Sequence, residues 1–225
     1  MGWIIDLYRS PMTKKVVMAV TGLMLFGFVV AHMAGNLKLY AGAEKLDAYA
    51  LGLKELGAPL FGYGQVVWIM RTGLLAAVFL HILSAWQLTQ INRKARPQRY
   101  AVARHQKSTY ASRTMRWGGV IIILFVVYHL LHFTTGHVHS DFVYGEVYNN
   151  VVSGFQQPLV SGFYVLAQIA LGFHLYHGLW SMFQSLGLSG ERFNRFRNVF
   201  AVAFAVIVSA VNISFPVAVL TGLVH

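Results

Sequence analysis

Long apolar runs organise this chain, and neither strict alternation nor a narrow 3.6-residue stripe does. A helix crossing the ~30 Å hydrocarbon core of a bilayer needs ~20 mostly apolar residues. Five runs meet that length, at about residues 16–37, 63–89, 117–135, 159–186 and 199–223. The pattern predicts an all-α fold, an integral membrane bundle of five transmembrane helices forming a single membrane domain over residues 1–225. The segment MGWIIDLYRSPMTKK before the first run has no signal-peptide cleavage site, so that run is expected to stay as a span. Between the first two spans, EKLDAYALGLKEL (residues 44–56) places Leu46, Tyr49, Leu53 and Leu56 on one helical face. It predicts a short amphipathic helix lying on the bilayer.

Composition agrees with lipid solubility. Of the 225 residues, 56% are apolar and 11% charged, against ~25% charged in an ordinary soluble domain. The formal net charge of +11 would suggest nucleic acid in a soluble protein, but its distribution gives it another meaning. Arg9, Lys14 and Lys15 precede span one. Eight cations, including Arg93, Arg113 and Arg116, lie between spans two and three. Arg192, Arg195 and Arg197 lie between spans four and five. Fourteen of the 18 cations thus fall on one side, while five of the seven acids (Glu44, Asp47, Glu55, Asp141, Glu146) fall on the other. Under the positive-inside rule this puts the N-terminus in the cytoplasm and the C-terminus outside. No nucleic-acid partner is expected. The absence of Cys excludes disulfides, thiolate zinc sites and protein-ligated iron–sulfur clusters.

The unexpected number is ten histidines in so apolar a chain. Ionisable side chains inside spans are uncommon and usually functional. His32 is in span one, His81 in span two, His129 and His132 in span three, His174 and His177 in span four. At 1.5 Å rise per residue, His32 lies roughly 25 Å and His129 roughly 20 Å from the cytoplasmic edge. His81 and His174 each lie roughly 18 Å from it. The set divides into an outer pair, His32 with His129, and an inner pair, His81 with His174. Two imidazoles from different helices at one depth can clamp a flat macrocycle, so two haems b within the first four helices are expected. The bland reading is interhelical polar glue or proton-relay groups. His132 and His177 sit three residues beyond a candidate ligand and could replace it in either span. Gly27, Gly35, Gly73, Gly172 and Gly178 could leave room for ring edges or could serve close helix packing.

Four stretches carry a family resemblance: KKVVMAVTGLMLFGFVVAHMAGNLKLYAG around His32, FLHILSAWQLTQINRKARPQRY around His81, SRTMRWGGVIIILFVVYHLLHF around His129, and GFHLYHGLWSMFQSLGL around His174. The chain resembles the cytochrome b membrane-anchor subunit of succinate dehydrogenase or fumarate reductase, in its single-chain, five-helix, two-haem form. The resemblance extends over nearly the whole chain and is less distinctive at NISFPVAVLTG in span five. It implies His81 and His174 as axial ligands of an inner haem, and His32 and His129 of an outer one. It also implies a flavoprotein subunit and an iron–sulfur subunit as partners, and electron exchange with menaquinone. The setting it implies is the bacterial cytoplasmic membrane, and no dicarboxylate active site is expected in this chain.

Haem propionates need cations or hydrogen-bond donors. For the inner haem the candidates are Arg113, Arg116 and Ser112, with Ser181 and Gln184. For the outer haem they are Arg71, His132 and Lys38, with Arg71 preferred because no acid lies near it in sequence. The competing account for these cations is anchoring at the membrane edge. Glu55 is the candidate carboxylate for quinol proton exchange. The basic loop 92–116 could dock the iron–sulfur subunit by charge complementarity. The function expected is therefore the dihaem anchor of a succinate:menaquinone oxidoreductase. Its rivals are a dihaem anchor for another dehydrogenase or hydrogenase, and a haem-free multi-pass transporter or structural anchor. The sequence leaves open the direction of catalysis and any higher oligomer of the complex.

Overall fold

The computed structural model describes residues 10–95, 110–185, 187, 188 and 190–225, with side chains given from 115 in the fourth helix and from 193 in the last. Seven α-helices occur among them, and no strand. They are α1 (Pro11–Asn36), α2 (Ala43–Lys54), α3 (Gln65–Lys94), α4 (Tyr110–Phe133), α5 (Val147–Phe155), α6 (Pro158–Ser185) and α7 (Glu191–Leu220). Five of them, α1, α3, α4, α6 and α7, are long and apolar enough to cross a membrane. The expectation of an all-helical protein with five spans is met.

Helical hydrogen bonding runs past the apolar stretches. α1 starts at Pro11, whose missing N–H costs nothing at that position, and the Ser10 hydroxyl accepts from the Met12 N–H at 3.2 Å. Inside the spans, hydroxyls turn back on their own helix. Thr21 donates to the Val17 carbonyl at 2.7 Å, Thr72 to Trp68 at 2.9 Å and Thr89 to Ala85 at 2.8 Å. In hydrocarbon no water is present to satisfy them otherwise. Large apolar side chains such as Phe79, Leu124, Leu166 and Val206 point outward. That is the arrangement a lipid-facing surface favours.

The spans form two groups. α1 packs along α3, and α6 packs along both α4 and α7. α1 also touches α6 and α7 and joins the groups. Neither α1 with α4 nor α3 with α6 packs along its length. A seam therefore runs between the α1–α3 pair and the α4–α6–α7 group.

One end of the bundle carries the described basic residues Lys14, Lys15, Arg93, Lys94, Arg116, Arg195 and Arg197. The other end is capped by α2 and α5. The sequence predicted a helix over 44–56, and α2 occupies most of that segment. Leu46 is buried, whereas Leu56 lies outside the helix and is exposed. α2 docks on α1 where a Cβ at Gly35 would stand 2.7 Å from Tyr49 Cε1, so only glycine admits that ring. α5 went unpredicted, since nine residues are too few for a span and its stretch VYNNVVSGF reads as a loop. Its N-terminus is held by Asp47, whose carboxylate accepts from the Tyr148 N–H at 3.0 Å. At its far end the Phe155 carbonyl accepts from buried Ser161 at 2.6 Å. Leu39, Leu46, Val152, Phe155, Tyr164 and Phe215 make the apolar cluster beneath this cap.

Candidate functional site

Two histidine pairs meet across the seam. His32 on α1 faces His129 on α4 with ring centroids 5.8 Å apart and planes at 84°. His81 on α3 faces His174 on α6 with centroids 6.4 Å apart and planes at 62°. The pairing inferred from depth is the pairing seen in space. The helices within each pair do not pack on each other, so the imidazoles reach across a gap between spans.

These separations suit a shared metal. A metal–imidazole bond of about 2 Å, with about 1.1 Å more from nitrogen to ring centre, puts the two centroids about 6 Å apart on opposite sides of one ion. Ring planes rotated about a common axis are compatible with both observed angles. At the inner pair a glycine lies beside each ring. A Cβ at Gly22 would stand 3.3 Å from His81 Cε1, and one at Gly119 3.9 Å from His174 Cε1. The residues present therefore fit a bis-imidazole haem at each pair. Among the described residues no cluster of three or more His, Cys, Asp or Glu could hold a bare metal ion.

Hydrogen bonds orient one ring of each pair. The His81 Nδ1 lies 3.2 Å from the Thr21 hydroxyl. The His129 Nδ1 lies 3.3 Å from the Tyr164 hydroxyl, which is also 3.1 Å from the His132 Nδ1. The His174 Nδ1 is buried without a partner.

The two alternative histidines lie in different surroundings. His132 is 2% exposed, stacks on His139 at 4.7 Å, and leaves so little room that a Cβ at Gly154 would stand 2.8 Å from its Cε1. His139 is itself fixed at both nitrogens, donating from Nε2 to the Asn150 carbonyl at 2.9 Å and accepting at Nδ1 from the Asp141 N–H at 3.2 Å. His177 stacks on Trp180 at 6.5 Å. Neither His132 nor His177 faces a histidine across the seam.

Of the five glycines expected near the rings, Gly35 and Gly172 serve helix packing, against Tyr49 and against Ser209 in close contact. Gly27, Gly73 and Gly178 have nothing within 4 Å of a Cβ position.

The other predicted residues spread to the two ends. Arg116 lines a cleft of about 490 Å³ at the basic end with Thr89, Asn92 and Arg93, three residues the sequence reading did not single out for this role. Ser112 and Arg113 lie outside the residues whose side chains are described. Ser181 is half-buried and Gln184 exposed. Arg71 is exposed and lies over the Trp68 ring at 5.1 Å. Lys38 lies over Tyr49 at 5.2 Å. Glu55 is exposed at the C-terminus of α2.

The sequence reading also missed Tyr164, Thr21 and Arg197. Arg197 is buried, its guanidinium 4.3 Å above the Trp180 ring. No spacing rule could have found Tyr164 or Thr21, whose partners are 35 and 60 residues away.

A bundle with five helices long and apolar enough to cross a membrane, and with histidines paired between them, defines a class, the polytopic helical membrane proteins. The particular family follows from the sequence profile of the succinate dehydrogenase/fumarate reductase transmembrane subunit, which matches residues 89–213. That is more than half the chain, and the chain belongs to this family. The family drawn from the sequence resemblance is thereby borne out, the match including the stretches around His129 and His174 and beginning after His81. No curated protein and no solved structure matches the chain.

Proposed function

We propose that this chain is the dihaem cytochrome b anchor of a succinate:menaquinone oxidoreductase, passing electrons between the iron–sulfur subunit and membrane quinone. The family supplies the complex, as membrane subunit of succinate dehydrogenase or fumarate reductase. The observation that carries the finer reading is the pair of inter-span histidine contacts, His81–His174 and His32–His129. In this reading His81 and His174 hold the inner haem, and His32 and His129 the outer one. The burial of His132 against Gly154 and the stacking of His177 on Trp180 favour His129 and His174 as the ligands in their spans. A bis-imidazole haem supplies one-electron transfer and offers no open position to a substrate.

The rest of the reading concerns this chain's own residues. Gathering of cations at one end supports a cytoplasmic N-terminus in a bacterial inner membrane. The same basic end would dock the flavoprotein–iron–sulfur pair through the loop 92–116. Arg116, which lines a cleft with Arg93 and Asn92, would supply donors for the inner propionates. Arg71 is assigned to the outer propionates, and Glu55 to proton exchange with quinol at the opposite surface.

The test is the purified complex. A reduced-minus-oxidised spectrum and pyridine haemochrome assay should give two haems b per chain. H81A or H174A should each remove one haem, and H32A or H129A the other. Absence of haem from the wild-type complex, or retention of both haems in all four variants, would overturn the reading.

A further inference from the structure

Both histidine pairs share a feature that the proposed ligation does not require. One ring in each pair is tied at Nδ1 to a buried hydroxyl from another helix. Thr21 on α1 serves His81 on α3, and Tyr164 on α6 serves His129 on α4. Both hydroxyl residues are only 5% exposed, so neither is a mobile surface contact.

The direction of the Thr21 bond follows from donor accounting, and that of the Tyr164 bond from the ligation reading. A hydroxyl has one proton to give. Thr21 Oγ1 directs its proton into its own helix, at 2.7 Å from the Val17 carbonyl and 3.2 Å from that of Met18. Toward His81 it is therefore an acceptor, and Nδ1 carries the proton. The lone pair of His81 is left on Nε2, the nitrogen then free for metal.

Tyr164 lies among Phe125, Tyr128, Phe155 and Phe163, which leave its O–H proton no acceptor but a histidine nitrogen. With His129 donating from Nδ1 to Tyr164, the Tyr164 proton passes on to Nδ1 of His132. The order His129 Nδ1–H to Tyr164 O–H to His132 Nδ1 satisfies all three groups, as the reverse order also would, and ligation of His129 through Nε2 in the reading above selects the first. It leaves Nε2 of His129 free for metal and puts the His132 proton on Nε2.

Resting on the bis-imidazole reading above, we propose that Tyr164 and Thr21 are positioning residues. They fix the tautomer and rotation of one axial imidazole in each pair and set the two redox potentials separately. A hydrogen bond from Nδ1–H makes the imidazole a stronger donor to metal. A stronger donor favours the oxidised ion, so each bond holds its haem at a lower potential. The inner pair is asymmetric in this respect, since the opposing His174 Nδ1 has no partner. His81 also has a backbone hydrogen bond to Met18, so loss of Thr21 would weaken this anchoring and leave the Met18 carbonyl as the remaining acceptor.

The experiment uses the purified holo-complex carrying Y164F, T21V or T21S, with potentiometric titration and low-temperature EPR of the two low-spin signals. Y164F should keep two haems, raise the midpoint of the outer one and move its signal, leaving the inner one as in wild type. T21V should do the converse, and T21S, which restores a hydroxyl, should return the inner values toward wild type. Wild-type potentials and signals in Y164F and T21V, or a shift at the wrong haem, would overturn the proposal. So would a T21S protein that behaves as T21V. These outcomes are separable from failure of the parent reading, which would appear as missing haem in the wild-type complex itself. A purely packing role for either residue would change stability without a haem-selective shift reversed by T21S.

Discussion

Gly154 offers a quantitative test of the packing around His132. It is a buried position in the last turn of α5. A Cβ there would stand 2.8 Å from His132 Cε1, 3.0 Å from Phe133 Cε1 and 3.1 Å from His132 Nε2. Neither ring can easily give way. His132 is tied to Tyr164 at 3.1 Å and stacked on His139 at 4.7 Å, and Phe133 packs on Phe155 at 5.4 Å. Overpacking of one methyl into such a site costs about 1–3 kcal/mol. Replacing a helical glycine by alanine returns up to ~1 kcal/mol of backbone preference. G154A should therefore be destabilised by about 1 kcal/mol net, and by ~2 if the rings hold their places. Gly162 on α6 is the control, exposed and with nothing within 4 Å of its Cβ position. G162A should gain up to ~1 kcal/mol. At roughly 2–4 °C per kcal/mol for a chain of this size, the two variants should separate by several degrees. Thermal unfolding of the protein in one detergent, followed by circular dichroism, measures the difference. If G154A melts with or above G162A, His132 is not packed as described and the case for its exclusion from ligation weakens.

Three further outcomes follow from the geometry. H129A should lose one haem while H132A keeps both, measured by haem content of purified protein, because only His129 faces a histidine across the seam. S161A should lose about 1–2 kcal/mol by thermal or denaturant unfolding, since it strips the Phe155 carbonyl of its side-chain donor at a fully buried residue. E55Q should lower quinol-linked turnover while leaving succinate oxidation by an artificial electron acceptor unchanged, because the carboxylate is assigned to the quinone end alone.

The features legible along the chain are those governed by local composition. Each span could be counted because a segment must be apolar over ~20 residues to cross a bilayer, whatever it packs against. The charge asymmetry then served as a ruler, and the depths paired His32 with His129 and His81 with His174. That worked because rise per residue is constant in a helix and does not depend on neighbours. The family followed from the long stretches around those histidines.

Rotation and lateral placement of the helices were not legible, because they depend on contacts between residues far apart in the chain. Gly35 and Gly172 looked like Gly27 and Gly73 in sequence, yet the first two receive Tyr49 and Ser209 while the others face open space. His132 and His129 were equivalent by spacing. Packing separated them, turning one toward α1 and burying the other beneath α5, a helix too short to announce itself. Thr21 and Tyr164 were ordinary span residues until folding brought them to His81 and His129. Depth in a membrane is a one-dimensional quantity that a linear sequence can encode. The direction in which a side chain faces within the bilayer plane is set by helix–helix packing, and it exists only once the bundle has assembled.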